Sequence, residues 1–207
     1  MSATVVNREA CIEWSVATRP RPGESVSGDL HLVSAWETGV LMAVVDGLGH
    51  GHEATLAART AIDVLTRHAS ESVVALVQRC HRALQRTRGV VMTLVSLNTD
   101  NDTAMALGIG NVETVFFRGD LRARPGHESV LLRGGVVGYQ LPALHSSTVQ
   151  LAPGDVVVFA TDGVREDFSD LIDPTEPLAQ LVDRIMARKF RGTDDGLVLA
   201  CKCLRQP

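Results

Sequence analysis

The apolar run Val40-Leu41-Met42-Ala43-Val44-Val45 ends directly on Asp46-Gly47-Leu48-Gly49-His50-Gly51. A short apolar run bounded by turn residues reads as a strand, so Asp46 stands where a strand gives way to a glycine-rich turn. That setting suits a bare phosphate poorly. Phosphate cradles use backbone N–H groups and a lysine, and no G-x-x-x-x-G-K-[ST] occurs in the chain. An aspartate so placed can instead hold a hard divalent cation, with the carbonyl of Gly47 as a second oxygen ligand. Asp29, Asp162 and the pair Asp194-Asp195 also sit beside strand-like runs, which points to metal chemistry on oxygen ligands.

The pattern around these aspartates predicts the order of elements. Cys11 to Thr18 reads as a strand that breaks at Arg19-Pro20-Arg21-Pro22-Gly23. Leu30–Ala35 and Val40–Val45 pair as a hairpin across the turn-rich Trp36-Glu37-Thr38-Gly39. Asp29 then opens one strand and Asp46 closes its antiparallel partner, so both carboxylates fall at the same end. Leu56, Ala57, Thr60, Ala61, Val64 and Leu65 recur at helical spacing between Glu53 and Ala69. Ser72 is placed to cap a second helix carrying Val73, Leu76, Val77, Cys80 and Leu84 along one stripe. Strands are expected at Val90–Leu97, Thr103–Ile109, Val112–Phe117, Val130–Leu132, Ser147–Leu151 and Val156–Ala160. A helix over Leu178–Lys189 and a last strand over Leu197–Cys203 complete the chain. Strands, two helices, many strands, one helix and one strand make an α+β fold rather than an alternating α/β one.

Composition excludes several classes. A chain of 207 residues, 45% hydrophobic, fits a single domain with one sizeable core. The formal net charge of −4 leaves no electrostatic footprint for nucleic acid. Arg79, Arg82, Arg86 and Arg88 fall at the spacing of a solvated helix face. The apolar runs are about strand length, far short of the roughly 20 residues that span a bilayer. The first residues carry no basic stretch followed by an apolar segment. Cysteines at 11, 80, 201 and 203 form neither C-x-x-C nor zinc spacing. Reduced thiols in a soluble, cytoplasmic protein are the expectation.

A single Asp-Gly is more often a turn than a ligand, so the weight lies on the set. Clustered carboxylates repel, and a fold tolerates them best when cations neutralise the site. Two metal ions about 3.5–4 Å apart lower the pKa of a shared water and polarise a phosphoryl oxygen, giving hydrolysis without a protein nucleophile. All-oxygen ligands suit Mg²⁺ or Mn²⁺; zinc would recruit His or Cys. His50 and His52 lie inside the glycine-rich turn, where loop polarity is the plainer reading and a proton-donating role for His50 the sharper one. No G-x-S-x-G occurs, and no cysteine has a nucleophile's setting.

Ser27-Gly28-Asp29, Asp46-Gly47-Leu48-Gly49-His50-Gly51, Ala160-Thr161-Asp162-Gly163 and Asp194-Asp195 together resemble, in order and spacing, the metal-dependent type 2C serine/threonine phosphatases of the bacterial sporulation-phosphatase-like branch. The resemblance covers nearly the whole chain. It implies a β-sandwich of two mainly antiparallel sheets flanked by helices, with residues 1–207 forming one catalytic domain. Within the branch, Arg79-Cys80-His81-Arg82-Ala83-Leu84, Arg88-Gly89, Gly110-Asn111-Val112 and Asp194-Asp195-Gly196-Leu197 are similar to stretches of lone-domain stressosome phosphatases. The implied substrates are phosphorylated STAS-domain stressosome proteins. A free anti-sigma-factor antagonist as substrate, or a non-catalytic partner-binding module, are the alternatives.

Carried over by position, the resemblance implies two Mn²⁺ or Mg²⁺ ions, with Asp46 bridging them and the Gly47 carbonyl on one. Asp162 and Asp194 complete the shell of the other, and Asp29 contributes nearby. The doublet leaves Asp195 open in place of Asp194. Asn111 is implied as support or substrate contact. Arg19 or Arg21 is a candidate for the arginine that many relatives place before the first aspartate to hold the substrate phosphate. The chain departs from many relatives in carrying Gly196 and Leu197 where a hydroxyl residue is common, and in lacking a long flap insertion.

Overall fold

The computed structural model describes residues 7–9 and 11–204. Its strands are β1 (Asn7–Glu9), β2 (Ile12–Arg19), β3 (Asp29–Trp36), β4 (Gly39–Gly47), β5 (Val90–Asn98), β6 (Thr103–Ile109), β7 (Glu113–Phe117), β8 (His127–Ser129), β9 (Leu132–Arg133), β10 (Ser147–Gln150), β11 (Val156–Ala160) and β12 (Gly196–Cys203). The helices are α1 (His52–Arg67), α2 (Val73–Leu84) and α3 (Leu178–Lys189), with a 3-10 turn at Glu166–Leu171. One sheet runs β1-β2-β12-β11-β7-β8 and the other β10-β6-β5-β4-β3, with β9 joined to β6. The ladders are antiparallel except the short β6–β9 contact.

Side-chain alternation along the strands explains why the sequence shows continuous apolar runs rather than an in–out pattern. In β4, Val40, Met42 and Val44 point into the core between the two sheets. Leu41, Ala43 and Val45 point the other way, onto Ala57, Ala61 and Leu65 of α1 and Leu76, Val77 and Cys80 of α2. In β11 and β12, Val157, Phe159, Leu199 and Cys201 fill the inter-sheet core, while Val156, Val158, Val198 and Ala200 lie under Leu181, Val182 and Ile185 of α3. The order of layers is helix–sheet–sheet–helix, and the inner strands are buried on both faces. The Ser72 hydroxyl caps α2, accepting from the Ala75 N–H at 3.3 Å. Cys201 and Cys203 share the inter-sheet face, and the four cysteines carry free thiols.

The strand expected at Val130–Leu132 is two shorter ones. β8 pairs with β7 in the first sheet and β9 with β6 in the second, so the chain crosses between sheets at Val130–Leu131. Val130 is buried in the core at that crossing. An apolar residue marks the crossing as well as it marks a strand, which is why the sequence pattern merges the two. The brief pairing of β1 and the 3-10 turn are too short to leave a periodic signal.

Candidate functional site

Antiparallel register places Asp29, the first residue of β3, directly opposite Asp46 near the end of β4. Asp46 continues the alternation of Val40, Met42 and Val44, so it falls at the rim of the inter-sheet core. Asp162 follows β11 by two residues and Asp194-Asp195 immediately precede β12, two adjacent strands of the facing sheet. The acidic ends of both sheets thus meet at one edge of the sandwich. Thr161 ties them together: its Oγ1 donates to Asp29 Oδ2 at 2.8 Å and accepts from the Leu197 N–H at 2.9 Å.

Two glycines permit this closeness. A Cβ on Gly47 would run into the Ala54 carbonyl in the first turns of α1, and one on Gly163 would run into the Asp195 carbonyl. The loops bearing Asp46 and Asp162 can therefore pack against α1 and the Asp195 loop only without a side chain at these positions. The Gly47 N–H also donates to the Gly28 carbonyl at 3.2 Å.

The doublet divides into two distinct settings. Asp195 is 3% exposed, and its two oxygens accept from the Arg21 N–H at 2.7 Å and the Gly28 N–H at 2.6 Å. It clasps the loop between β2 and β3. Asp194 is only partly buried; its Oδ1 accepts from the Asp195 N–H at 2.8 Å, and no described residue donates to its other oxygen. Asp162 is exposed, and the Asn111 amide donates to its Oδ2 at 2.7 Å.

The electrostatics follow from burial without a counter-charge. Desolvation, then repulsion from Asp29, Asp162, Asp194 and Asp195, pushes the Asp46 carboxyl up to about 9. Desolvation also raises Asp29, to about 7, against the Thr161 hydrogen bond and with the neighbouring aspartates adding to it. Asp162 is raised by desolvation and by Asp194, with the Asn111 bond opposing. No side chain among the described residues donates to Asp46. A partly buried, unpaired carboxyl among other carboxyls is the donor set of a hard divalent cation, all oxygen and short of positive charge. Among the described residues no three His, Cys, Asp or Glu side chains converge into a closed ligand cage. The residues fit a cation by chemistry and by location at one mouth.

Two cavities flank the Asp162–Asn111 pair. One, of about 300 Å³, is lined by Glu113, Thr161, Glu166, Phe168 and Arg191 in addition to that pair. The other, of about 370 Å³, is lined by Asp46, Leu48, Val91, Gly134 and Val136 as well as the pair. Arg19 sits opposite Gly196, the residue after Asp195. It is exposed at the end of β2, with its guanidinium 5.8 Å from the centre of the Phe190 ring, and does not line the cavity beside Asp162. Arg21 enters the site through its backbone N–H. His50 Nδ1 lies 2.7 Å from Glu24 Oε1, turned to the β2–β3 loop. Sequence reasoning missed Thr161, Glu113 and Arg191. Thr161 had a signal, since it adjoins Asp162; Arg191, two residues past the end of α3, carries none.

A family model, Stage II sporulation protein E (SpoIIE), matches residues 37–203. A curated relative, phosphoserine phosphatase RsbX of Bacillus subtilis (strain 168), is 28% identical over 95 residues. That match takes in 46% of this chain and spans about half (48%) of the relative's length. Among solved structures, one from work on the bacterial stressosome as a modular system adapted to secondary-messenger signalling is 30% identical, with a TM-score of 0.84 over 92% of this chain and 99% of the other. RsbX in complex with magnesium gives a TM-score of 0.85 at 20% identity, covering 97% of this chain and 99% of that one. The PP2C phosphatase domain of Bacillus subtilis SpoIIE gives 0.76 at 17% identity, covering 99% of this chain and 65% of that one. The two-sheet sandwich, its mouth of aspartates and the family match agree: this chain belongs to the SpoIIE family of PP2C-type phosphatase domains.

Proposed function

We propose that this chain is a single-domain, Mn²⁺- or Mg²⁺-dependent phosphoprotein phosphatase that removes phosphate from serine or threonine on STAS-domain stressosome proteins. The observation that carries the reading is the meeting of Asp29, Asp46, Asp162 and Asp194 at one mouth, with Asp46 unpaired and its carboxyl held up to about 9. The RsbX relative bears the name phosphoserine phosphatase, and a structural relative comes from work on the stressosome. Those two supply the substrate class.

In this reading Asp46 and the Gly47 carbonyl would help hold the divalent ions. Asp162 and Asp194 would complete that donor set, and Asp29 stands beside them on its Thr161 bond. Divalent cations in such a site supply a water of lowered pKa and polarise the phosphoryl oxygens. The chain's own residues set the stage. Asn111 fixes the Asp162 carboxylate through its 2.7 Å hydrogen bond. Asp195 holds the β2–β3 loop, and with it Asp29, in place through the Arg21 and Gly28 N–H groups. Thr161 joins Asp29 to the facing sheet. Asp195 acts as a clasp rather than a ligand, because both its oxygens are engaged. A cytoplasmic setting belongs to the same proposal and accords with the four free thiols.

The test is phosphate release from a purified, kinase-phosphorylated STAS-domain stressosome scaffold and from a free STAS-domain anti-sigma antagonist, with Mn²⁺ or EDTA. Metal-dependent release with preference for the scaffold supports the proposal. Preference for the free antagonist overturns the substrate assignment, and binding of either without release overturns the activity.

A further inference from the structure

Resting on the phosphatase reading above, we infer that Arg191 is the side chain that receives the outward oxygens of the substrate's phosphate. The Arg19 guanidinium lies 5.8 Å from the centre of the Phe190 ring, and Arg19 does not line the cavity beside Asp162. Arg191 does. Its backbone N–H donates to the Gly163 carbonyl at 2.8 Å, which pins it beside the residue that follows Asp162. Val164 and Phe190 pair as an isolated bridge, and the Arg165 N–H donates to the Lys189 carbonyl at 2.9 Å. The Asp162 loop and the segment carrying Arg191 are therefore zipped together, and the position of one sets the position of the other.

The guanidinium stands at the junction of two spaces. Inward is the 300 Å³ cavity, which contains Asp162 and Asn111, and in which Arg191 is the one cationic lining residue among the described residues. Outward is an open groove of about 630 Å³ lined by Arg165, Glu166, Asp167 and Phe190. A phosphoseryl side chain reaching inward from a polypeptide laid along the outer groove passes Arg191 on its way to Asp162.

The arginine is free to meet it. Its ion pair is with Glu166 at 3.8 Å, and that glutamate side chain is 82% exposed, so little is lost when the guanidinium turns inward. Lys189 by contrast is nearly buried and held by Asp167 at 2.6 Å, and Arg118 is held by Glu128 and Asp155. A planar guanidinium offers a fork of donors that matches two phosphate oxygens at once, which an ammonium does not. Glu113 and Glu166 in the same wall repel any anion, so an anionic group entering the cavity depends on Arg191. In the phosphatase reading that group is a phosphomonoester.

Arg191→Ala and Arg191→Lys, each in the Mn²⁺-loaded full chain, are compared with wild type in two measurements. The first is calorimetric titration with orthophosphate, which needs no turnover. The second is KM and kcat for p-nitrophenyl phosphate and for a phosphoserine peptide. Loss of a charge-assisted bidentate contact predicts orthophosphate binding weakened by roughly 10- to 100-fold in Arg191→Ala. It predicts kcat/KM reduced by a similar factor on both substrates, and partial recovery in Arg191→Lys. Unchanged orthophosphate binding overturns the assignment. So does a loss confined to the peptide, which would make Arg191 a contact to polypeptide, and so does a fall in Mn²⁺ affinity that accounts for the whole effect. Absence of turnover in wild type with weakened orthophosphate binding in Arg191→Ala would sink the phosphatase reading while leaving the phosphate contact standing.

Discussion

Replacing Asp46 with asparagine removes a carboxyl that burial and four neighbouring aspartates hold up to about 9, against an ordinary value of 3.8 in the unfolded chain. Because the folded value is the higher one, the folded state binds the extra proton throughout the interval between them. Stability contributed by this group is full below pH 4 and falls as pH rises towards 9, with a limiting slope of about 1.4 kcal/mol per pH unit. Between pH 6 and pH 8 the metal-free wild type therefore loses on the order of 3 kcal/mol on account of Asp46. For a domain of this size that is roughly 6–12 °C in Tm. Asp46→Asn has no proton to release there, so its melting temperature in EDTA falls less over the same interval and exceeds that of wild type at pH 8. Mn²⁺ reverses the order: at about a hundred times its Kd it stabilises wild type by about 2.7 kcal/mol and leaves the variant almost unmoved. The assay is thermal melting by circular dichroism at pH 6, 7 and 8, with EDTA or Mn²⁺. Equal pH slopes for the two proteins in EDTA, or an undiminished Mn²⁺ shift in the variant, would refute the reasoning.

The doublet gives a paired prediction. Asp195→Ala should lower stability by about 2–4 kcal/mol in urea unfolding, since it strands the buried Gly28 N–H and the half-buried Arg21 N–H, whereas Asp194→Ala should leave stability in EDTA within about 0.5 kcal/mol and weaken Mn²⁺ binding in calorimetry. Thr161→Val keeps the shape but removes the donor to Asp29 and the acceptor for the Leu197 N–H; a loss of about 1–3 kcal/mol is expected by the same unfolding measurement. Gly163→Ala drives a methyl into the Asp195 carbonyl, so a loss of about 3 kcal/mol or more, or failure to express folded, is expected.

The frame of the fold was legible because its signals are local. The apolar run of β4, the caps and stripe of α2, and the turn between β3 and β4 are each contained within a few residues, and the hairpin register that sets Asp29 opposite Asp46 follows from them. The layers explain the rest of the strand pattern: residues on both faces of β4, β11 and β12 are covered. What was not legible depends on contacts between distant segments. Asp194 and Asp195 are equivalent as letters, and they differ because Asp195 meets N–H groups 174 and 167 residues earlier in the chain. Arg191 matters through its tie to Gly163 and the cavity it shares with Asp162, neither of which has a sequence period. The split at Val130–Leu131 escapes for the opposite reason, because an inward-facing crossing residue has the same chemistry as a strand residue.

The most direct measurement is hydrolysis of p-nitrophenyl phosphate by wild type and Asp162→Asn at pH 8, in EDTA, Mg²⁺ and Mn²⁺. Asp162 is exposed at the mouth, so its replacement tests the chemistry with little burden on the fold. The account predicts turnover in wild type only with divalent metal, and a loss of roughly 10- to 100-fold or more in the variant, the scale on which disturbing a metal site costs activity. Turnover that survives EDTA, or a folded variant that keeps wild-type rates at saturating metal, would contradict it.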